Sequence, residues 1–299
     1  MAEFIRSTLI KDHTTATEVL EKDLPTNAIS HLVLSMDAWN ATDEATLAEL
    51  LAFINSVEVT QAGKTIVNLQ SEDLYHLNRK LYGHSPMNAG KIATDNAYRN
   101  LCLIIPFGRT PYNPAECFPA TKKGELTLRV NTTVPATSAD NSTINIDCIE
   151  LVGASPAKYL KSVMSTIVAP GATGDNDVEL PIGNDIVCIQ LRCTSTPADS
   201  THTFGVASAR ILVDNREYGY ASAQAQCLQG DQGFVIDNQH SIIAAQGKDP
   251  GESILRLDFD PVGNGEFLLQ TSGKASVKAR LNMGVNEATY MTVCELVNV

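Results

Sequence analysis

Acid, hydroxyl and imidazole stand side by side at one place in this chain, Asp199-Ser200-Thr201-His202. These are the parts of acyl-transfer chemistry, yet working triads are assembled across a fold and not from neighbours in sequence. A solvated loop is therefore expected there. Oxygen ligands gather at Asp175, Asn176, Asp177 and Glu179, beside Gly171 and Gly174. Hard cations favour such carboxylate-rich loops, so Asp175, Asp177 and Glu179 are the candidate ligands of a structural Ca²⁺, set against the plainer reading of a polar turn before a strand. Two carboxylates can also hydrolyse a glycosidic bond. Asp258 with Asp260, or Asp175 with Asp177, are nominal candidates, because residues two apart on a strand share a face. Nothing else in the sequence singles them out.

Other chemical signatures are missing. GxSxG, HExxH, Walker, GxGxxG and kinase patterns do not occur. The six histidines, His13, His31, His76, His84, His202 and His240, include no pair at i, i+4 that would grip a metal from one helix. Seven cysteines (Cys102, Cys117, Cys148, Cys188, Cys193, Cys227, Cys294) form no CxxC, and an odd number cannot all close into intrachain disulfides. Most are expected to be reduced core residues. Sugar recognition wants exposed aromatic platforms, and Trp39 is the sole tryptophan. The expectation is a chain that is not an enzyme, with no catalytic or cofactor-binding residue.

The elements that would position these groups are mostly strands. Apolar and polar residues alternate over Glu125–Asn131, Val187–Cys193, Leu255–Phe259 and Ala275–Met283, the period of a strand with one buried and one wet face. Turn residues punctuate them at Gly63-Lys64, Gly183-Asn184, Asp214-Asn215 and Gly263-Asn264-Gly265. Helices are few. Leu47, Leu50, Leu51 and Ile54 fall at helical spacing behind Thr42 or Asp43 as N-cap. A second helix runs from Ser71 as cap through Leu74, Leu77 and Leu81 to a stop at Gly83. Tyr159–Val168 is expected to be a strand.

With 299 residues, one large domain or two of about 150 are the natural choices. An internal repeat favours two. Val57-Glu58-Val59-Thr60, a glycine turn, Thr65-Ile66-Val67 and the Ser71 helix recur in type as Arg210–Val213, the Asp214-Asn215 turn, Glu217–Tyr220 and a possible helix over Ser222–Leu228. Gly124–Asn131 also matches Gly251–Asp258 in type, and the strands that follow, Thr143–Val152 and Lys274–Met283, match in turn. That pairing implies that the second copy has lost loop. The boundary is placed near Gly153-Ala154-Ser155-Pro156, giving domains 1–154 and 155–299. A net charge of −12 repels phosphates and argues against direct nucleic-acid binding. No apolar run approaches the roughly 20 residues of a membrane span, and the N-terminus does not resemble a secretory signal. Intracellular synthesis is expected.

The strand, Gly-Lys turn, strand and Leu-rich helix, followed by Leu103-Ile104-Ile105-Pro106-Phe107-Gly108-Arg109, resemble the first barrel of the double jelly-roll major capsid proteins of tailless, internal-membrane-containing icosahedral bacterial viruses. Asp177–Gly183 and Val213–Tyr218 are similar to the second barrel. The resemblance covers about Val57 to the C-terminus and leaves the first 55 residues as an extension. It implies an all-β fold of two tandem eight-stranded jelly-roll β-sandwiches with a few short helices. It also implies a structural protein that self-assembles as homotrimers of pseudo-hexagonal outline into an icosahedral shell. Penton and minor capsid proteins are the partners implied, and the location is the virion capsid, assembled in the host cytoplasm. Phe4, Ile5, Leu9 and Ile10 with Arg6 and Lys11 could meet the viral inner membrane, although a docked strand is the plainer expectation. A vertex or host-attachment spike protein is the alternative, and a β-sandwich hydrolase stands behind both.

Overall fold

The computed structural model describes residues 3–41, 45–90, 95–134, 139–167, 169, 171–193, 204–235 and 254–299. The chain divides into two compact units, Met1–Val163 with Val297–Val299, and Met164–Leu296.

In the first unit, β1 (Glu3–Thr14), β2 (Glu18–Asp23), β3 (Ala28–Asn40), α1 (Leu47–Ala52), β4 (Ile54–Gln61), β5 (Lys64–Leu69), α2 (Ser71–Tyr82), β6 (Asn88–Ala89), β7 (Tyr98–Pro106), β8 (Leu126–Thr132) and β9 (Ala139–Val152) follow in order. One sheet runs β1-β9-β3-β7, with the short β6 on its rim, and the other runs β2-β8-β4-β5. Alternation aims Leu32, Leu34 and Met36 of β3, Leu101, Leu103 and Ile105 of β7, and Ile144, Ile146 and Cys148 of β9 at the core, with Val57, Val59, Leu126, Leu128 and Val130 from the opposite sheet. Burying such side chains contributes about 1.5 to 3 kcal/mol each, before conformational entropy is subtracted.

The second unit begins within β10 (Lys158–Ile167) and continues through β11 (Gly174–Glu179), β12 (Asp185–Cys193), β13 (Val206–Val213), β14 (Arg216–Glu217), β15 (Ala223–Gln224), α3 (Ala225–Val235), β16 (Ile254–Asp258), β17 (Leu269–Gln270), β18 (Val277–Met283) and β19 (Thr289–Asn298). Its sheets run β10-β19-β12-β16 and β11-β18-β13-β14. Ile189, Leu191, Met291, Val293, Leu255 and Leu257 from one sheet meet Ile211, Val213, Val277, Ala279 and Leu281 from the other, with Leu228 of α3 beneath.

Among the described residues, leaving out the two-residue β6, β15 and β17 and keeping the two-residue β14, which holds a place in the sheet order, each unit has eight strands. In both, the first, eighth, third and sixth form one sheet and the second, seventh, fourth and fifth the other. This is the jelly-roll order, which handles exposed edges by folding two sheets over one core. The all-β expectation of tandem jelly rolls stands.

Several details differ from the sequence reading. The first 55 residues are no extension, because they supply β1, β2 and β3. The repeat pairs other strands than expected. β8 pairs with β4 as β18 pairs with β13, so the counterpart of β8 is β18 and not β16. The starts of β4 and β13, β8 and β18, and β9 and β19 then lie 152, 151 and 150 residues apart (54 to 206, 126 to 277, 139 to 289), and no loop needs to be lost. Two strands expected to have a wet face lack one. Gln190 and Arg192 on β12 and Arg256 on β16 are buried. The cap of α1 is Thr46, whose hydroxyl accepts from the Glu49 N–H while Glu49 accepts from the Thr46 N–H. Asp43 and Thr42 lie outside the described residues. Gln70 occupies the N-cap position of α2, and the Ser71 hydroxyl donates to the Leu51 carbonyl at 2.7 Å. Gly83 does end α2, in the left-handed region at φ 71°.

Candidate functional site

β11 lies antiparallel to β18, placing Asp175 opposite Asn282, Asp177 opposite Arg280 and Glu179 opposite Lys278. The three carboxylates therefore share one strand face, not a loop. Asp177 accepts from Arg280 Nε at 2.5 Å and Nη2 at 2.8 Å, Glu179 from Lys278 at 2.8 Å, and Asp175 from Asn282 at 2.8 Å. The Arg280 guanidinium holds the Asp177 carboxyl below the usual carboxylate range, and the same pairing raises Arg280. Two cations pair with two of these three carboxylates, and Asp175 takes a neutral amide. Among the described residues, no group of three or more His, Cys, Asp or Glu side chains is placed to hold a metal ion.

Asp258 and Asp260 fasten a turn. Asp258 Oδ1 accepts from the Asp260 N–H at 2.9 Å, and Asp260 Oδ1 accepts from the Gly265 N–H at 2.7 Å. The Tyr220 hydroxyl clasps the Asp258 backbone, accepting from its N–H at 2.8 Å and donating to its carbonyl at 2.9 Å. Asp199, Ser200, Thr201 and His202 lie outside the described residues, as does His240.

His31 is buried on β3, its Nδ1 2.9 Å from the Ser30 hydroxyl. Its ring meets Tyr112 edge-to-face at 5.1 Å, and Tyr112 meets Phe4 of β1 in the same way at 5.6 Å. Burial, with nearby Arg6, lowers the His31 pKa to about 4. The stack fixes the start of β1, which Arg6 also anchors through Asp147 at 2.7 Å. Phe4 and Ile5 themselves stay exposed. All seven cysteines are free thiols: five are buried, Cys102 is half-buried and Cys227 is exposed. Cys188 and Cys294 face each other across β12 and β19, and their mutual hydrogen bond and burial push the Cys188 thiol well above its ordinary value. Such thiols are inert.

A depression of about 350 Å³ lies beside β1 and β2, lined by Leu9, Ile10, Lys11, His13, Val19, Leu20, Glu21 and Lys22. Glu21 is the single acid in its lining, where glycoside hydrolysis would need two.

What remains is surface. On the face of β1-β9-β3-β7 turned away from its core, Val33, Ser35, Asp37 and Trp39 are partly exposed and Tyr98 is exposed. Trp39 and Tyr98 are cross-strand partners, packed edge-to-face with centroids 5.8 Å apart. The Tyr98 hydroxyl donates to Asp37 at 2.5 Å, and this bond raises its pKa to about 12. Sequence reasoning noted Trp39 but missed Tyr98, whose only signal was its place in the register of β7. At the rim of the same sheet, the Asn78 amide of α2 donates to the Ile104 carbonyl at 2.6 Å and accepts from the Ile104 N–H at 2.6 Å. A side chain thus stands where another strand would pair. Among the described residues no helix is long and apolar enough to cross a membrane.

No protein-family model and no curated protein sequence matches the chain. Solved structures do. The major capsid protein P2 of bacteriophage PM2 is 12% identical with a TM-score of 0.64, covering 99% of this chain and 98% of that one. The STIV major capsid protein (Sulfolobus Turreted Icosahedral Virus) is 13% identical with a TM-score of 0.70, over 99% and 97%. The PBCV-1 virus capsid is 10% identical with a TM-score of 0.61, over 99% and 94%. Across nearly its whole length, this chain has the double jelly-roll fold of viral major capsid proteins.

Proposed function

We propose that this chain is the major subunit of an icosahedral viral shell, a structural protein with no catalytic role that assembles with itself. The observation that carries the reading is the pair of complete jelly rolls with identical strand order in one chain, together with end-to-end likeness to capsid subunits of similar length. A subunit of this kind works through surfaces. The site accordingly consists of exposed sheet faces, while the acids that could have done chemistry are engaged in ion pairs and turn caps.

In this reading three copies form a pseudo-hexagonal trimer, trimers tile the shell, and penton and minor capsid proteins complete it after assembly in the host cytoplasm. Phe4 and Ile5, exposed at the start of β1 beside Arg6, are the residues suited to an inner membrane. The test is the mass of the purified protein in solution. A trimer of about 97 kDa, three times 32.2 kDa, or a closed particle is expected. A strict monomer at high micromolar concentration overturns the reading.

A further inference from the structure

The turn that Asp258 and Asp260 fasten carries the one Asn-Gly pair of the chain, Asn264-Gly265. The backbone nitrogen that follows an asparagine can attack the asparagine's own side-chain amide, and glycine, with no Cβ, shields that nitrogen least. Gly265 holds the left-handed region at φ 78°, where other residues are strained. Each atom of that reaction has a partner here. The Gly265 N–H, on the attacking nitrogen, donates to Asp260 Oδ1 at 2.7 Å, and Asp260 is only 2% exposed. Asn264 Oδ1, where negative charge collects once Cγ is attacked, accepts from the Glu266 N–H at 3.0 Å. Asn264 Nδ2, the nitrogen that would leave, points at Glu266 Oε2, 3.4 Å away. Asn264 and Glu266 are exposed, so ammonia has a way out and water a way in. A base within reach of the proton it removes, a donor on the developing oxyanion and reactants held as neighbours are the ordinary components of catalysis.

We propose that this turn modifies itself, Asn264 losing its amide as ammonia with Asp260 as the base. Asp260 takes the proton of the Gly265 N–H, the bond from that nitrogen to Asn264 Cγ forms, and the Cγ–Nδ2 bond breaks. Asp260 returns the proton through solvent to the departing nitrogen, which leaves as NH3 and closes a succinimide. Water then opens the ring at either carbonyl, giving an aspartate or an isoaspartate in place of Asn264. The event happens once per copy, and no oxidant or reductant takes part. It puts a new negative charge on the loop between the exposed Val262 and Phe267, and the isoaspartate product lengthens the main chain by a methylene. The inference goes beyond the shell reading and stands or falls without it. Folding ordinarily slows this reaction by fixing the backbone, so a turn that carries its own base is recognised by the opposite behaviour.

The test incubates the full chain at neutral pH, folded and in guanidinium chloride, and maps its peptides by mass spectrometry with a separation that resolves isoaspartate. Conversion of Asn264 is expected to be at least about tenfold faster in the folded chain than in the unfolded one. Asp260→Asn keeps an oxygen that accepts from the Gly265 N–H but supplies no base, and Pro261 behind it has no N–H with which to attack the new amide. That variant, shown to be folded by thermal melting, is expected to convert no faster than the unfolded chain. A folded rate equal to or below the unfolded rate overturns the proposal, as does a folded Asp260→Asn that converts as fast as the unaltered chain. Should the variant fail to fold, the comparison of folded with unfolded unaltered chain decides alone.

Discussion

β3 and β12 hold the same position, each the third strand of its unit and flanked by the eighth and the sixth, yet they live in different surroundings. Both aim alternate apolar residues at a core. On β3 the other residues reach a partly open surface, whereas on β12 Cys188, Gln190 and Arg192 are buried. Unit two meets that demand with partnered polar groups: Arg256 Nη2 donates to Gln190 Oε1 at 3.3 Å, and the Arg192 guanidinium lies 4.3 Å from the Tyr290 ring centre. Strand order decides which side chains enter the core. What covers the far side of a sheet decides the rest.

A lysine at a central outward position should separate the two strands most sharply. Cys188→Lys places an unpartnered charge in a closed environment and is expected to cost about 3 to 5 kcal/mol, whereas Val33→Lys in the isolated chain should cost less than about 1 kcal/mol. Urea unfolding measures both, and equal losses would erase the distinction. Acid provides the next contrast, since His31 lies in the first unit and the described residues of the second include no histidine. The unfolded chain takes up the proton near pH 6.5, but folded His31 resists until about pH 4. Stability of the first unit is therefore full above pH 6.5 and falls by about 3 kcal/mol as pH drops to 4. His31→Gln should flatten that slope, and an unchanged slope would assign it elsewhere.

Asn78→Ala opens the rim of the first unit's sheet by removing two hydrogen bonds to Ile104. A loss of about 2 kcal/mol is expected, with faster amide exchange at Ile104 as its local signature. Smallest of all is the effect of a chelator. Arg280 and Lys278 already serve two of the three carboxylates of β11, so EDTA should leave Tm unchanged, and a fall in Tm would support the Ca²⁺ reading for Asp175, Asp177 and Glu179.

Strands with a firm inner face were legible in the sequence. Leu126, Leu128 and Val130 announced β8, and Val277, Ala279 and Leu281 announced β18. β1 was not legible, because among Glu3–Thr14 only Ile10 is buried, and a strand that gives the core one side chain leaves little period to read. The second half of the repeat slipped by one strand for a related reason. Gly124–Asn131 and Gly251–Asp258 share an alternation common to most strands, and strand pairing, which distinguishes them, is not written in alternation. Thr46 was recoverable, since Thr46 and Glu49 have the spacing of a capping box. The open face around Trp39 and Tyr98 was out of reach, because it is made by residues 59 positions apart that meet only through the register of β3 and β7.

The pairing of β1 with β9 sets an order of events at the ribosome. Phe4 lies opposite Leu151 and Thr14 opposite Thr143, so the earliest residues to emerge must wait for nearly the last of their unit. β9 also sits between β1 and β3. Until it arrives, neither has its central neighbour, and a nascent chain stopped short of residue 139 carries two long strands with bare edges, the state most exposed to mispairing between crowded copies.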